Sequence, residues 1–228
     1  MAIQRILAMT AEEIRNHPSP PSGFAYLGCH LSAELGKLSG LPEALPKGCG
    51  LVIDDRNLIS QVDEKAVTEQ IAAFNPAYVI LDFQRSPTEP YQKLADALTK
   101  LPCPVPMPPA YGKDHHCPVF LPPIPPNVPM PEHFAPWTNR QIWLELALDA
   151  VEITVTAKGS QVQALPFAED APSAHMDSML HCHYKISQQS DALRFYCYRT
   201  RSDVEEMLRT PLPENLTHAV GLFREFGA

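Results

Sequence analysis

The chain has 228 residues, 45% of them apolar and 19% charged, which is enough for a large core and too apolar for disorder. Against 26 acidic residues stand 18 basic ones, a formal charge of −8 with no basic run to neutralise phosphates, so nucleic acid and anionic membranes are excluded as main partners. No apolar run approaches the roughly 20 residues of a membrane span.

Residues 3–9 read as a first strand, and Thr10-Ala-Glu-Glu13 after them matches a capping box that starts a helical turn. The proline-rich 17–23 stretch is a stiff loop. Phe24 to His30 forms a second strand, and Gly50-Leu-Val-Ile-Asp54-Asp55-Arg56 a third, apolar and then acidic. Val62 to Phe74 carries apolar residues at helical spacing and stops at Asn75-Pro76. Ala77-Tyr-Val-Ile-Leu-Asp82-Phe-Gln84-Arg85 is the fourth strand: an apolar run ending in an acid, an aromatic, an amide and a cation, the pattern of a buried parallel strand that delivers polar groups at its C-terminal end.

A second helix runs from about Glu89 to Leu101. The runs 103–111 and 117–126 are short, extended and saturated with proline; they read as strands five and six with no helix between them. Gln141 to Leu146 is a seventh strand. Ala150 to Leu165 alternates around Lys158-Gly159, a hairpin that extends the domain as an inserted ribbon. Residues 166–178 read as loop, and 181–186 and 193–198 as a strand pair. Ser202-Asp-Val-Glu205 is a second candidate capping box, and Glu214 to Phe226 reads as a final helix. Together these elements predict one domain over residues 1–228, an α/β, degenerate (β/α)8 barrel with several helices shortened or missing.

In such a barrel the C-terminal strand ends carry the site, here His30, Asp54, Asp82, Gln84, Tyr111 and Glu145. Asp82 has a structural alternative as partner of Arg85 or Arg56. Asp54 and Asp55, adjacent on an extended chain, point to opposite faces, so at most one reaches the mouth. Glu145 interrupts the apolar run Ile-Trp-Leu-Glu-Leu and shares a face with Trp143, an acid beside an aromatic that suits a sugar ring. Lys113 to Cys117 and His181-Cys-His183 lack a zinc spacing, so neither a metal nor another cofactor is expected. The six cysteines, spread evenly, read as reduced thiols; with no secretion signal in residues 1–13, the expected location is the cytoplasm.

The stretch Ala77 to Gln84 resembles the fourth-strand signature of the family-18 chitinase-like glycosidases, an apolar strand ending in acid, apolar, acid, aromatic, glutamate. Asp82-Phe83-Gln84 matches its last three positions, while Gln84 stands where the family has its proton donor and Ile80 where it has a further acid. An amide cannot protonate a glycosidic oxygen. The resemblance therefore implies a glycosidase-like barrel that binds a carbohydrate or similar small polar ligand, with Gln84, Asp54, His30 and Tyr111 as ligand-binding groups and no family-type hydrolysis. Two alternatives stand beside it: an active glycoside hydrolase or other small-molecule enzyme using Glu145 and Asp82, and a non-catalytic scaffold that uses the 150–165 ribbon as a contact surface. The oligomeric state is left open.

Overall fold

The computed structural model describes residues 3–17, 19–112, 116–167, 175–189 and 191–227. The first half of the chain runs β1 (Gln4–Met9), α1 (Ala11–Asn16), β2 (Ala25–Leu31), β3 (Leu38–Ser39), β4 (Gly50–Asp54), α2 (Glu64–Ala72), β5 (Val79–Asp82) and α3 (Glu89–Leu98). It continues with β6 (Val119–Leu121), α4 (Met130–Phe134), β7 (Ile142–Leu146), the hairpin β8 (Ala150–Thr156) and β9 (Gly159–Leu165), then β10 (His175–Asp177), β11 (Cys182–Gln189), β12 (Ala192–Tyr198), α5 (Arg201–Met207), β13 (Leu216–Leu222) and α6 (Phe223–Phe226). These fall into two compact units: Met1–Pro122 with Asn139–Glu145 and Asn215–Ala228, and Pro123–Thr138 with Leu146–Glu214.

The first unit is a nearly closed parallel barrel of seven strands in the order β5-β4-β2-β1-β13-β7-β6, with β3 paired antiparallel to β2. The remaining gap, between β5 and β6, is bridged by the proline-rich segment at 104–107. Val79 and Leu81 of β5 donate their N–H groups to the carbonyls of Pro104 and Pro106, each at 3.0 Å. On the other side Phe120 donates to Met107 at 2.8 Å, and Met107 forms a parallel bridge with Val119. Pro104 and Pro106 have no N–H to return to β5, so half of that ladder is missing for a chemical reason. The expectation of a degenerate barrel with short or missing helices holds; the proline-rich residues 104–107 and the short strand 119–121, flanked by prolines, are two of its staves.

Alternation along the strands sorts the core into two layers. Ile6, Ala8, Ala25, Val52, Ile80, Phe120, Trp143 and Val220 pack together from the inner faces. Outward residues such as Met9, Leu51, Ile53, Val79 and Leu81 pack with Val67 and Ile71 of α2 and Tyr91, Leu94 and Leu98 of α3. Thr10 closes the expected capping box on α1, taking the Glu13 N–H at 3.2 Å while Glu13 Oε2 accepts the Thr10 N–H at 2.7 Å.

The final helix expected over 214–226 is instead β13 followed by the single turn α6. β13 pairs in parallel with β1, Gln4 opposite His218 through Ala8 opposite Leu222, and so supplies a stave of the barrel. Leu216, Ala219, Val220 and Phe223 fit helical spacing, but a strand buried on both faces has no period-2 pattern to oppose it.

The second unit is a five-stranded antiparallel sheet, β10-β11-β12-β8-β9. The ribbon expected at 150–165 is the β8–β9 hairpin, turned at Gly159 (φ 130°), and it is one edge of this sheet. Val151, Cys182 and Cys197 form its small core with Ile153, Tyr184 and Phe195. The capping box of α5 is Thr200 with Asp203, two residues before the expected Ser202 to Glu205. Buried Arg199 ties the unit together by donating to the carbonyls of Leu180 (2.7 Å), His181 (3.1 Å) and Ile124.

Candidate functional site

Three neighbouring strands of the barrel end in one register row. His30 of β2 lies opposite Asp54 of β4, and Asp54 opposite Asp82 of β5. Asp82 follows Ile80 on the inner face by two residues, as Asp54 follows Val52 and Glu145 follows Trp143, so all three acids sit on the inward side at the C-terminal mouth. A register irregularity between Leu27 and Cys29 shifts β2 by one residue. It turns buried Cys29 to the outer layer, where burial first and Asp54 second push its thiol up to about 12, and leaves His30 on the opposite face.

A cavity of about 310 Å³ opens at the ends of β5, the 104–107 stave, β6 and β7. Asp82, Gln84, Arg85, Tyr111, Phe120 and Glu145 line it, with Pro108, Pro109 and Pro122 on its wall. Four of the six expected site residues, Asp82, Gln84, Tyr111 and Glu145, are thus brought to one cavity. Asp54 and His30 stand on the adjoining strands and do not line it.

Asp82 is partnered by Gln84, whose Nε2 donates to Asp82 Oδ1 at 2.5 Å. Neither Arg56 nor Arg85 takes the carboxylate. Arg56 instead clasps Asp54 through Nε (3.0 Å) and Nη2 (2.5 Å). The Asp82 pKa is raised above the ordinary carboxylate value, chiefly by burial; the Gln84 hydrogen bond works against that rise, and the charges of Asp54 and Asp55 add to it.

Asp55 turns to the other face, as the spacing required. It is buried, and its Oδ2 accepts the Arg85 N–H at 2.7 Å. Arg85 in turn spends Nε on the Asp55 carbonyl (3.0 Å) and Nη2 on the Arg56 carbonyl (3.2 Å). Tyr111 is 1% exposed, meets Phe83 edge-on at 5.2 Å, and donates its hydroxyl to the Arg85 carbonyl at 3.0 Å. Burial, then Asp55 and Tyr91, push that phenol up to about 12, so Tyr111 is a neutral wall that fixes the 83–86 loop. The positioning role of Asp55 and the inward Phe120 were not singled out from sequence; the strict opposition of Asp54 and Asp55 was the available signal for the first.

Of the histidine clusters, residues 113–115 lie outside the described part, as does 168–174 of the expected loop. His183 Nδ1 contacts Asp203 Oδ2 at 2.9 Å, which makes it the partner of a helix-capping acid. Among the described residues no three His, Cys, Asp or Glu side chains converge as a metal site would require.

No protein-family model matches this sequence, and no curated protein matches it. Solved structures do. The Bacillus cereus spore cortex-lytic enzyme SleL superposes with a TM-score of 0.55 at 10% identity, over 96% of this chain and 70% of that one. SleL of Bacillus megaterium QM B1551 gives a TM-score of 0.50 at 10% identity, with the same coverage. The Bacillus subtilis protein ydhD, a proposed sporulation-specific glycosylase, gives 0.50 at 10% identity over 83% of this chain and 87% of that one. At this identity the likeness is one of fold: a degenerate TIM-like barrel of the kind those proteins have.

Proposed function

We propose that this chain is a glycosidase-like barrel protein that binds a carbohydrate or similar polar ligand in the mouth cavity without acid-catalysed cleavage. One observation carries the reading: the group beside Asp82, where the resembling glycosidases place their proton donor, is the Gln84 amide at 2.5 Å. Its N–H can hold a hydrogen bond to Asp82 through any pH change, and it has no proton to give a leaving group. The cavity offers the surfaces a sugar needs, an aromatic ring at Phe120 and polar groups at Asp82, Gln84 and Glu145. The barrel likeness to SleL and ydhD supports the same class. Six free thiols, four of them buried, suit a reducing compartment, and the cytoplasm is the proposed location. No helix among the described residues is long and apolar enough to cross a membrane.

A thermal-shift screen of wild type and Gln84→Ala against mono- and oligosaccharides, followed by product analysis, tests this. The expected result is a shift with wild type, lost in the exposed-site variant, and no product. A cleaved product overturns the non-hydrolytic reading, and silence across the panel overturns the carbohydrate one. A second reading, an enzyme in which Glu145 is the acid and Asp82 the positioning carboxylate, is favoured by their sharing one cavity. Product formed by wild type and abolished in Glu145→Gln selects it.

A further inference from the structure

The antiparallel sheet of the second unit ends in two unlike edges. β10 is a strand of three residues with an acid at its end, and short, charged edges are ordinarily safe from further pairing. β9 is seven residues long, exposed from Gly159 to Ala164, and holds no charge, proline or bulge. Among the described residues it pairs with β8 alone. Thr156 and Gly159 face each other across a two-residue turn, so they exchange both backbone hydrogen bonds, and alternation along the ladder gives Gln161 and Gln163 to β8 as well. The N–H and C=O groups of Ser160, Val162 and Ala164 therefore point away from the sheet, and among the described residues nothing receives them.

Side chains alternate across the two faces. Val162 continues the row Ile186, Phe195, Ile153 that crosses β11, β12 and β8, and at the end of that apolar row it remains 56% exposed. Gln161 and Gln163 take the other face, opposite Thr154 and Glu152. The edge Ser160-Gln-Val-Gln-Ala164 reads nearly alike in both directions. We propose that β9 pairs antiparallel with β9 of a second copy of this chain, across a two-fold axis at Val162, and joins two sheets into one; this is independent of what the barrel binds. In that register Val162 meets the partner's Val162, Ser160 the partner's Ala164, and Gln161 the partner's Gln163. The open groups of Ser160, Val162 and Ala164 then fall in hydrogen-bonded pairs, the apolar row runs on across the axis, and each glutamine amide offers the other a donor and an acceptor. A strand from an unrelated chain would need no such symmetry, whereas a two-fold interface must complement itself. The charge of −8 opposes self-association over most of the surface, but residues 159–165 carry none of it, and Lys158 lies in the turn beyond the paired stretch.

A paired strand edge is a small interface, so association is expected in the micromolar to millimolar range. Sedimentation equilibrium of the full chain should show the mean mass rising with concentration from one chain toward two and stopping there. Gln161→Lys combined with Gln163→Lys sets like charges opposite one another across the axis and should weaken association about tenfold. Gln161→Glu combined with Gln163→Lys sets unlike charges there and should restore it. Both variants place the new cation at 163 opposite Glu152 of its own sheet, so neither opposes folding, which far-ultraviolet circular dichroism checks. Amide exchange at Ser160, Val162 and Ala164 should slow as concentration rises. A chain that stays monomeric at millimolar concentration overturns the proposal, as does a mass that climbs past two chains. So does a dimer that the like-charge variant leaves intact or the unlike-charge variant fails to restore.

Discussion

Asp82 is held between two opposed influences. Burial and the nearby acids favour its protonated form, and the Gln84 N–H favours the carboxylate; the net shift is upward. An acid whose folded pKa lies above its unfolded value adds stability fully below the unfolded value, about 3.9, and loses it as pH rises through the folded one. Thermal melts over the acid to neutral range should therefore show wild type losing stability relative to Asp82→Asn as pH rises; wild type gaining instead would contradict the assignment. The same logic makes Gln84→Glu informative. It sets a second carboxyl against Asp82, the two must share a proton, and stability at neutral pH should fall by about 1–2 kcal/mol, recovering in acid.

Among the elements, the fourth strand was the most legible, because β-branched and apolar residues followed by Asp82 and Gln84 admit one reading for both position and direction. The proline-rich staves were legible as strands only through their brevity; what sequence could not give was that Pro104 and Pro106 accept from β5 without donating. β13 was misread because Leu216, Ala219, Val220 and Phe223 mimic a helical stripe, and the second sheet was read in parts because strand pairing between β8 and β12 is invisible to local pattern. Of the site, inward parity was readable, but not that the cavity lies over β5 to β7 and leaves His30 and Asp54 aside. Close packing at β4 gives a test at this scale. A Cβ at Gly50 would lie 2.0 Å from the ring of Tyr78, which is buried, anchored by its hydroxyl on the Gly23 carbonyl and set edge-on to Trp143. Gly50→Ala should cost about 1–3 kcal/mol by overpacking, read as a lower denaturation midpoint; an unchanged midpoint would mean that Tyr78 can move aside. In the second sheet, Arg199→Met removes the donor to three carbonyls and should cost about 3 kcal/mol or more.

For the molecule as a whole, the order of the chain matters as much as its shape. The barrel unit is assembled from three stretches, and residues 123–138 and 146–214 are spent elsewhere between them. Residues 1–228 are proposed to behave as one cooperative domain. The two tryptophans, Trp143 in the barrel and Trp137 in the second unit, can report on this separately in single-tryptophan variants. Coincident denaturant transitions are expected, and distinct midpoints would refute a single domain. The pairing of β1 with β13 reaches further, to the birth of the protein. At roughly 5–20 residues per second, a ribosome that has just made Ile6 and Ala8 takes roughly ten to forty seconds to reach Val220, their companion in the barrel interior. During that interval the inner surface around Ile6 and Ala8 lacks the stave that covers it, so apolar residues stay open to solvent until β13 has been made.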